Sequence, residues 1–190
     1  MSEALQRLHR DHANAMRLLS LLDRQIDAID SGGRPDWEIV QGAIQYFLTY
    51  PDTGHPPLED QILTRLRTWH PAEAEPFLWL NSEHRQLSES LHHLAAVTPR
   101  IVPAVRATYL DLLRGFVAAQ RDHIHREEAG FLPAARRLLK EKDWQELDGI
   151  VAGVMDPLAD PADVRFRALR RQLAEASQTV EQNRQANVGL

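Results

Sequence analysis

The sequence predicts an all-α protein: an antiparallel up-and-down four-helix bundle with additional C-terminal helices. Apolar residues recur at alternating spacings of three and four along most of the chain, as in Ala15, Leu19, Leu22, Ile26 and Ile29. This is the period of a helix that buries one face. Stretches rich in glycine and proline interrupt the period, so we expect short turns between neighbouring helices that run antiparallel.

The elements follow in order from this period and from the signals that start and stop helices. Ser31-Gly32-Gly33 ends the first helix, and Pro35 suits the first turn of the second, because the first amide groups of a helix lack partners within it. Pro133 is expected to kink the long fourth helix or to end its regular part. The predicted helices cover about residues 3–30, 36–50 with a continuation from near Pro56-Pro57 to Trp69, 76–96, 104–139, 143–154 and 161–182.

The domain organisation is predicted to be simple. We expect the four-helix bundle to occupy residues 1–155. Residues 156–190 would form a linker and an amphipathic C-terminal helix, packed on the bundle or at an oligomer interface. The oligomeric state itself is left open by the sequence.

Composition excludes several classes of function. The chain has 190 residues, a formal net charge of -5 and no cysteine, so nucleic-acid binding is not expected and any metal must use nitrogen and oxygen ligands. The N-terminal segment lacks the apolar core of a secretory signal. No stretch approaches the roughly 20 apolar residues of a membrane span, and we expect a cytoplasmic protein without a membrane partner.

Six ligand-type side chains fall on faces that the helical period predicts to be buried. Two H-x-x-x-E pairs place an imidazole and a carboxylate on the same helix face, one turn apart. Burying such groups singly costs several kcal/mol, so their presence on four helices indicates a common metal centre. The predicted metal ligands are His12, His55, Glu59, His84, His123 and Glu127.

The positions along the helices support a shared centre. At a rise of about 1.5 Å per residue, His12 and His55 lie level on antiparallel neighbours, and so do Glu59 and His84. The match between His84 and His123 is less good. Buried His–Glu ion pairs are the alternative explanation, although such pairs rarely stabilise a protein more than apolar packing does.

The donor set predicts the metal. Mixed imidazole and carboxylate ligands inside a helical bundle suit iron or manganese. In a dinuclear site, four histidines, two bridging carboxylates and a bridging oxide or hydroxide would fill about ten of twelve octahedral positions. About two positions would remain for water or for a small ligand.

Neighbouring polar residues are assigned other places. His9 forms H-x-x-H with His12 but lies off the predicted face, so we expect it at the rim of the centre. Asp60 and Glu128 follow the two ligand carboxylates by one residue and are expected to point away.

These residues resemble a known family. LHRDH at 8–12, YPDTGHPPLEDQIL at 50–63, EHRQL at 83–87 and HIHREEAGFLP at 123–133 are similar, in order, to the helix motifs of the hemerythrin-like family with the HHE cation-binding domain. The resemblance covers about residues 3–170. It implies an antiparallel four-helix bundle around a non-haem di-iron centre held by the six ligands named above.

Two differences separate the chain from oxygen-carrying hemerythrins. Ser88 occupies the place of a second histidine one turn after the third-helix ligand, and the fourth helix offers Glu127 where those carriers place an aspartate one residue further on. The ligand set looks closer to di-iron proteins implicated in nitrosative stress and iron-centre repair. Those proteins typically carry a cysteine-bearing N-terminal segment, which this sequence lacks.

Three functions compete at this point. The first is a binding protein whose two iron ions bind or sense O2, NO or peroxide. The second is a di-iron enzyme or iron donor in oxidative or nitrosative stress defence or in iron-centre repair, for which no catalytic residue is assigned. The third is iron storage in a ferritin-like bundle, but its E-x-x-H motif is matched only by Glu89 and His92, off the buried face.

Overall fold

The helices of the protein follow the predicted order. The computed structural model describes residues 2–49, 55–98, 106–153 and 155–188, and no residue within these ranges is in a strand. The all-α prediction is confirmed. The helices are α1 (Glu3–Asp30), α2 (Trp37–Thr49), α3 (His55–Trp69), a short α4 (Pro71–Ala74), α5 (Leu80–Val97), α6 (Arg106–Arg126), α7 (Leu132–Leu138), α8 (Glu141–Val151) and α9 (Arg167–Val188).

Local signals explain both ends of α1. The Ser2 hydroxyl accepts a hydrogen bond from the Leu5 N–H at 3.1 Å, which satisfies one amide of the first turn. At the other end Gly32 has a φ of +75°, and the Gly33 N–H donates to the Ala28 carbonyl at 2.8 Å. This is the glycine-dependent Schellman ending expected from Ser31-Gly32-Gly33.

Four helical segments form the bundle. Helix α1 packs against α2 and α6, and α5 packs against the same two helices, so that each segment touches two neighbours. Helix α3 continues the second segment after residues 50–54 and contacts α1, α5, α7 and α8. The up-and-down bundle predicted from the sequence therefore has the expected helices as neighbours.

The apolar core is divided into two clusters. One contains the second half of α1 with α2, α5, α6 and the start of α9. The other contains the first turns of α1 with α3, α7 and α8. On α1 the clusters are separated between Leu8 and Ala15, where His12 is buried. A polar layer therefore lies between two apolar regions.

The fourth helix of the bundle contains a π-helical turn that the sequence analysis missed. The turn spans Glu127–Phe131, and the Leu132 N–H donates to the Glu127 carbonyl, five residues earlier. Pro133 follows directly; its ring would clash with a carbonyl in a regular α-helix, and a widened turn relieves this crowding. Phe131 is fully buried, whereas the preceding Gly130 is only partly buried.

The C-terminal helices cover two sides of the bundle. Helix α8 contacts α1 and α3, and α9 contacts α1 and α2. Leu169 of α9 lies so close to Gly42 of α2 that a Cβ at residue 42 would come 3.2 Å from the Leu169 Cγ atom. The domain boundary at residues 155–156 stays a prediction. No helix in the described ranges is long and apolar enough to cross a membrane.

Replacing Leu169 should measure how strongly α9 is held. Leu169 is fully buried, so Leu169→Ala should lower the free energy of unfolding by about 2–5 kcal/mol in a urea titration. Val164→Ala is the matched control, since Val164 is 70% exposed and its truncation should change stability by less than about 0.5 kcal/mol. Equal effects of the two variants would contradict the packing of α9.

Candidate metal centre

The polar layer contains a compact group of nitrogen and oxygen ligands. Each of its four residues offers one ligand atom, and these atoms all lie within 4.8 Å of one another. The two carboxylates are fully buried, and the histidines are largely buried. The group consists of Glu59 from α3, His84 from α5, His123 from α6 and Glu127 from the π-helical turn.

His12 extends this group from α1. Its Nε2 atom lies 3.1 Å from the Glu127 Oε2 atom and 3.7 Å from the Glu59 Oε1 atom. The two carboxylates thus stand between His12 on one side and the histidines of α5 and α6 on the other. Of the six ligands predicted from sequence, five are brought together in this layer. His55 begins α3, but its side chain lies outside the described part of the structure.

The nitrogen and oxygen atoms of the layer converge on a common point. The His123 Nε2 atom lies 3.0 Å from Glu127 Oε1, and the His84 Nε2 atom lies 3.2 Å from Glu59 Oε2. Even so, both Glu127 oxygens and the His84 ring nitrogens lack a partner in hydrogen-bond geometry. Buried polar atoms normally have such partners, so nitrogen and oxygen lone pairs that converge without them fit a cation ligated by both.

A second layer of carboxylates lies behind the histidines. In each of three histidines, Nε2 faces the centre and Nδ1 faces an outer carboxylate. The three Nδ1 contacts are His12 to Glu128 at 2.6 Å, His84 to Asp60 at 3.7 Å and His123 to Glu83 at 3.1 Å. Outer carboxylates of this kind fix the orientation of metal-binding histidines.

Asp60 and Glu128 lie outside the central group of ligand atoms, as predicted, but their contacts with the outer nitrogens of His84 and His12 were not predicted. Successive residues lie about 100° apart around a helix, so Asp60 and Glu128 cannot reach the inner nitrogens that Glu59 and Glu127 contact. The imidazole ring has a second nitrogen, Nδ1, on its other side. In His12 and His84 this nitrogen faces Glu128 and Asp60, respectively. His9 lies at the rim, with its side chain 41% exposed, and its Nδ1 atom is 2.9 Å from the Glu128 carboxylate.

Sequence reasoning also missed three residues around His123. Glu83 contacts both His123 and Arg126. The Arg126 guanidinium lies 3.6 Å above the Trp79 ring, and Trp79 packs edge-on against His123 with ring centroids 5.8 Å apart. A usable signal was present: each outer carboxylate adjoins a central residue in sequence, in the pairs 59–60, 83–84 and 127–128.

Comparison with known families identifies this arrangement. Residues 3–135 match the family model described as the hemerythrin HHE cation binding domain. The chain belongs to the hemerythrin HHE cation-binding family. The matched region runs from the start of α1 into α7 and contains all six predicted ligands. No curated protein and no solved structure matched the chain in the corresponding comparisons.

Membership of the hemerythrin family indicates a metal-binding protein, and the His/Glu group is the candidate site for the metal. Helices α8 and α9 follow the matched region. The family therefore accounts for the bundle and its polar layer.

The carboxylates of this hemerythrin domain raise the pKa values of its histidines. Burial lowers the pKa of His12, but neighbouring carboxylates, first Glu127 and then Glu128, outweigh burial and raise it to about 11. Burial likewise lowers the pKa of His84, and Glu127 with Glu59 raises it to about 10. A metal ion needs the neutral imidazole, so cation and protons compete for the same nitrogens.

The carboxylates shift in the opposite direction. Burial raises the pKa of Glu127, yet contacts with the central histidines bring it well below the ordinary value. The His12 contact lowers the pKa of Glu128 to about 2, against a smaller effect of burial. Both glutamates are therefore ionised at neutral pH, so that Glu127 can accept a cation and Glu128 can accept a hydrogen bond from His12 Nδ1.

Metal-free and metal-loaded protein should respond oppositely to pH. Histidines with raised pKa values stabilise the metal-free fold fully below pH 6.5, their ordinary pKa, and this stability is lost as pH rises toward 10 or 11. The loss approaches about 1.4 kcal/mol per pH unit for each histidine that keeps its proton. Glu127 and Glu128 add stability above pH 4.5 that disappears on acidification.

Urea unfolding at pH 5.5 and 8.5 provides the measurement. Metal-free protein should be less stable at pH 8.5, whereas the stability added by metal should be greater there because fewer protons compete. Glu127→Gln should reduce the pH dependence of the metal-free form. A metal-free protein of equal stability at both pH values would contradict the raised pKa values of the histidines.

Proposed function

We propose that this hemerythrin-family chain holds a non-haem di-iron centre that binds or senses a small diatomic molecule or oxidant, such as O2, NO or peroxide. The observation that carries the proposal is the pair of fully buried carboxylates, Glu59 and Glu127, facing histidines from three helical segments. Leaving these charges buried without a cation would be costly.

The ligands divide between two metal positions. Glu59, His84, His123 and Glu127 supply two imidazoles and two carboxylates to one position. His12 contacts the remaining oxygens of the same two carboxylates, and His55, one turn before Glu59 on α3, would complete the second position. Each carboxylate has one oxygen toward His12 and the other toward His84, which is why we propose two iron ions and not one. Manganese is also compatible with this ligand set.

The surroundings suit a reactive centre. Apolar clusters lie on both sides of the polar layer and limit the access of water. A low-polarity environment strengthens the electrostatic interactions between ligands and cation. Bound iron would supply redox chemistry and open coordination positions for a small ligand.

A turnover function is the alternative. The same ligands would serve a di-iron enzyme or an iron donor in stress defence or iron-centre repair, and no described residue near the layer is assigned as a catalytic acid, base or nucleophile. Binding or sensing requires only the centre and access to it. It is therefore the simpler function for this arrangement.

Metal analysis tests the centre. Protein loaded anaerobically with Fe(II) should retain two iron ions per chain, and Glu127→Gln should weaken binding by more than about 100-fold. Loss of an outer partner typically lowers metal affinity 10–100-fold. Loss of Glu127, which contacts three histidines, should lower it further. The affinity can be measured by competition with a chelator of known strength.

The control for this experiment is Glu89→Gln, because Glu89 is exposed on α5 and its replacement changes charge equally. It should retain iron as the parent chain does. Retention of two iron ions by folded Glu127→Gln would refute the ligand assignment. Retention of none by the parent chain would refute the di-iron proposal.

A second experiment separates binding from turnover. Reduced protein should change its optical spectrum on exposure to less than one equivalent of O2 or NO, and removal of the gas should restore the first spectrum. An enzyme would instead consume successive additions and release product. Sustained consumption of peroxide or NO in the presence of a reductant would favour the alternative over the proposed binding function.

A further inference from the structure

Glu83 differs from the other outer carboxylates in the way it is held. It lies on α5, next to His84, but its Oε2 atom reaches across to His123 Nδ1 on α6 at 3.1 Å. Its other oxygen pairs with Arg126, also on α6. The Asp60 and Glu128 side chains are 50% and 35% exposed, whereas Glu83 is 26% exposed. Glu83 thus joins two helices of the bundle directly behind a central histidine.

Arg126 is itself fixed by an aromatic ring. Its guanidinium lies 3.6 Å above Trp79, a distance at which a cation is attracted to the face of an indole. Trp79 in turn contacts His123 edge-on. His123, Glu83, Arg126 and Trp79 therefore form a closed ring of contacts, which we name the His123 clamp.

The clamp restricts both the position and the tautomer of His123. A carboxylate oxygen on Nδ1 accepts the ring N–H, so that in the neutral ring the lone pair is on Nε2, the nitrogen beside Glu127 that a cation would use. Trp79 limits rotation of the imidazole from one side, and the ring of His84 limits it from another at a centroid distance of 4.8 Å. Arg126 holds the Glu83 carboxylate in the geometry that this hydrogen bond requires.

We propose that Glu83 is a positioning residue for the metal centre, acting through His123 and held in place by Arg126 stacked on Trp79. The proposal rests on the proposed function, because it assigns Glu83 a role toward the cation that His123 would bind. Glu83 itself does not touch the metal. Its effect should appear in affinity and in the ligand field at one metal position.

Matched variants on α5 test this role. Glu83→Gln keeps an acceptor but removes the charge, and Glu83→Ala removes both. In chelator competition with Co(II), affinity should fall about 10–100-fold in Glu83→Ala, with Glu83→Gln intermediate. Glu89→Gln, with the same loss of charge on the same helix, should bind Co(II) as the parent chain does.

Two further readouts distinguish positioning from a purely structural role. In Co(II)-loaded protein, the exchangeable ring N–H of a bound histidine gives a shifted proton NMR signal. One such signal should move or exchange faster in Glu83→Gln and stay unchanged in Glu89→Gln. The urea midpoint of metal-free Glu83→Gln should stay close to that of the parent chain.

The outcomes separate the two proposals. Parent-like affinity and NMR signals in Glu83→Gln would overturn the positioning role while leaving the metal centre intact. Failure of the parent chain to bind metal would overturn the centre and the role together. If Glu83→Ala fails to fold, Arg126→Gln decides: weaker metal binding supports the clamp, and unchanged binding overturns it.

Discussion

Burial of two carboxylates is the constraint on which the arrangement of this bundle depends. Glu59 and Glu127 have no exposed surface, and a buried carboxylate must be compensated by positive charge or by hydrogen bonds. Their nearest polar contacts include histidines on other helices, so the helices must meet at one level. The ligand layer therefore sets the register of the bundle as well as its chemistry.

The apolar packing on either side makes this layer structurally separate. The cluster beside α2, α6 and α9 and the cluster beside α3, α7 and α8 each contain fully buried large side chains. Each cluster can stabilise its own end of the molecule by burying apolar surface. The polar residues between them can then be selected for chemistry, since they are not the main source of stability.

The sequence predicted the inner residues of the layer better than the outer ones. The helical period alone indicates that His12, Glu59 and Glu127 face inward, because each belongs to a row of apolar residues on its own helix. Glu83 and Glu128 could not be predicted in this way. Their roles depend on the second nitrogen of a histidine on another helix. The spacing of apolar residues predicts only which face of its own helix is buried.

The π-helical turn has a consequence for how the chain can change over evolution. It places one extra residue between the ligand end of α6 and the apolar face of α7, so that Glu127 and Leu132 can both be buried. Loss of that residue would rotate everything downstream by about 100°. An insertion or deletion at this point would therefore disturb both the ligand layer and the apolar packing of α7, and selection should act against both effects.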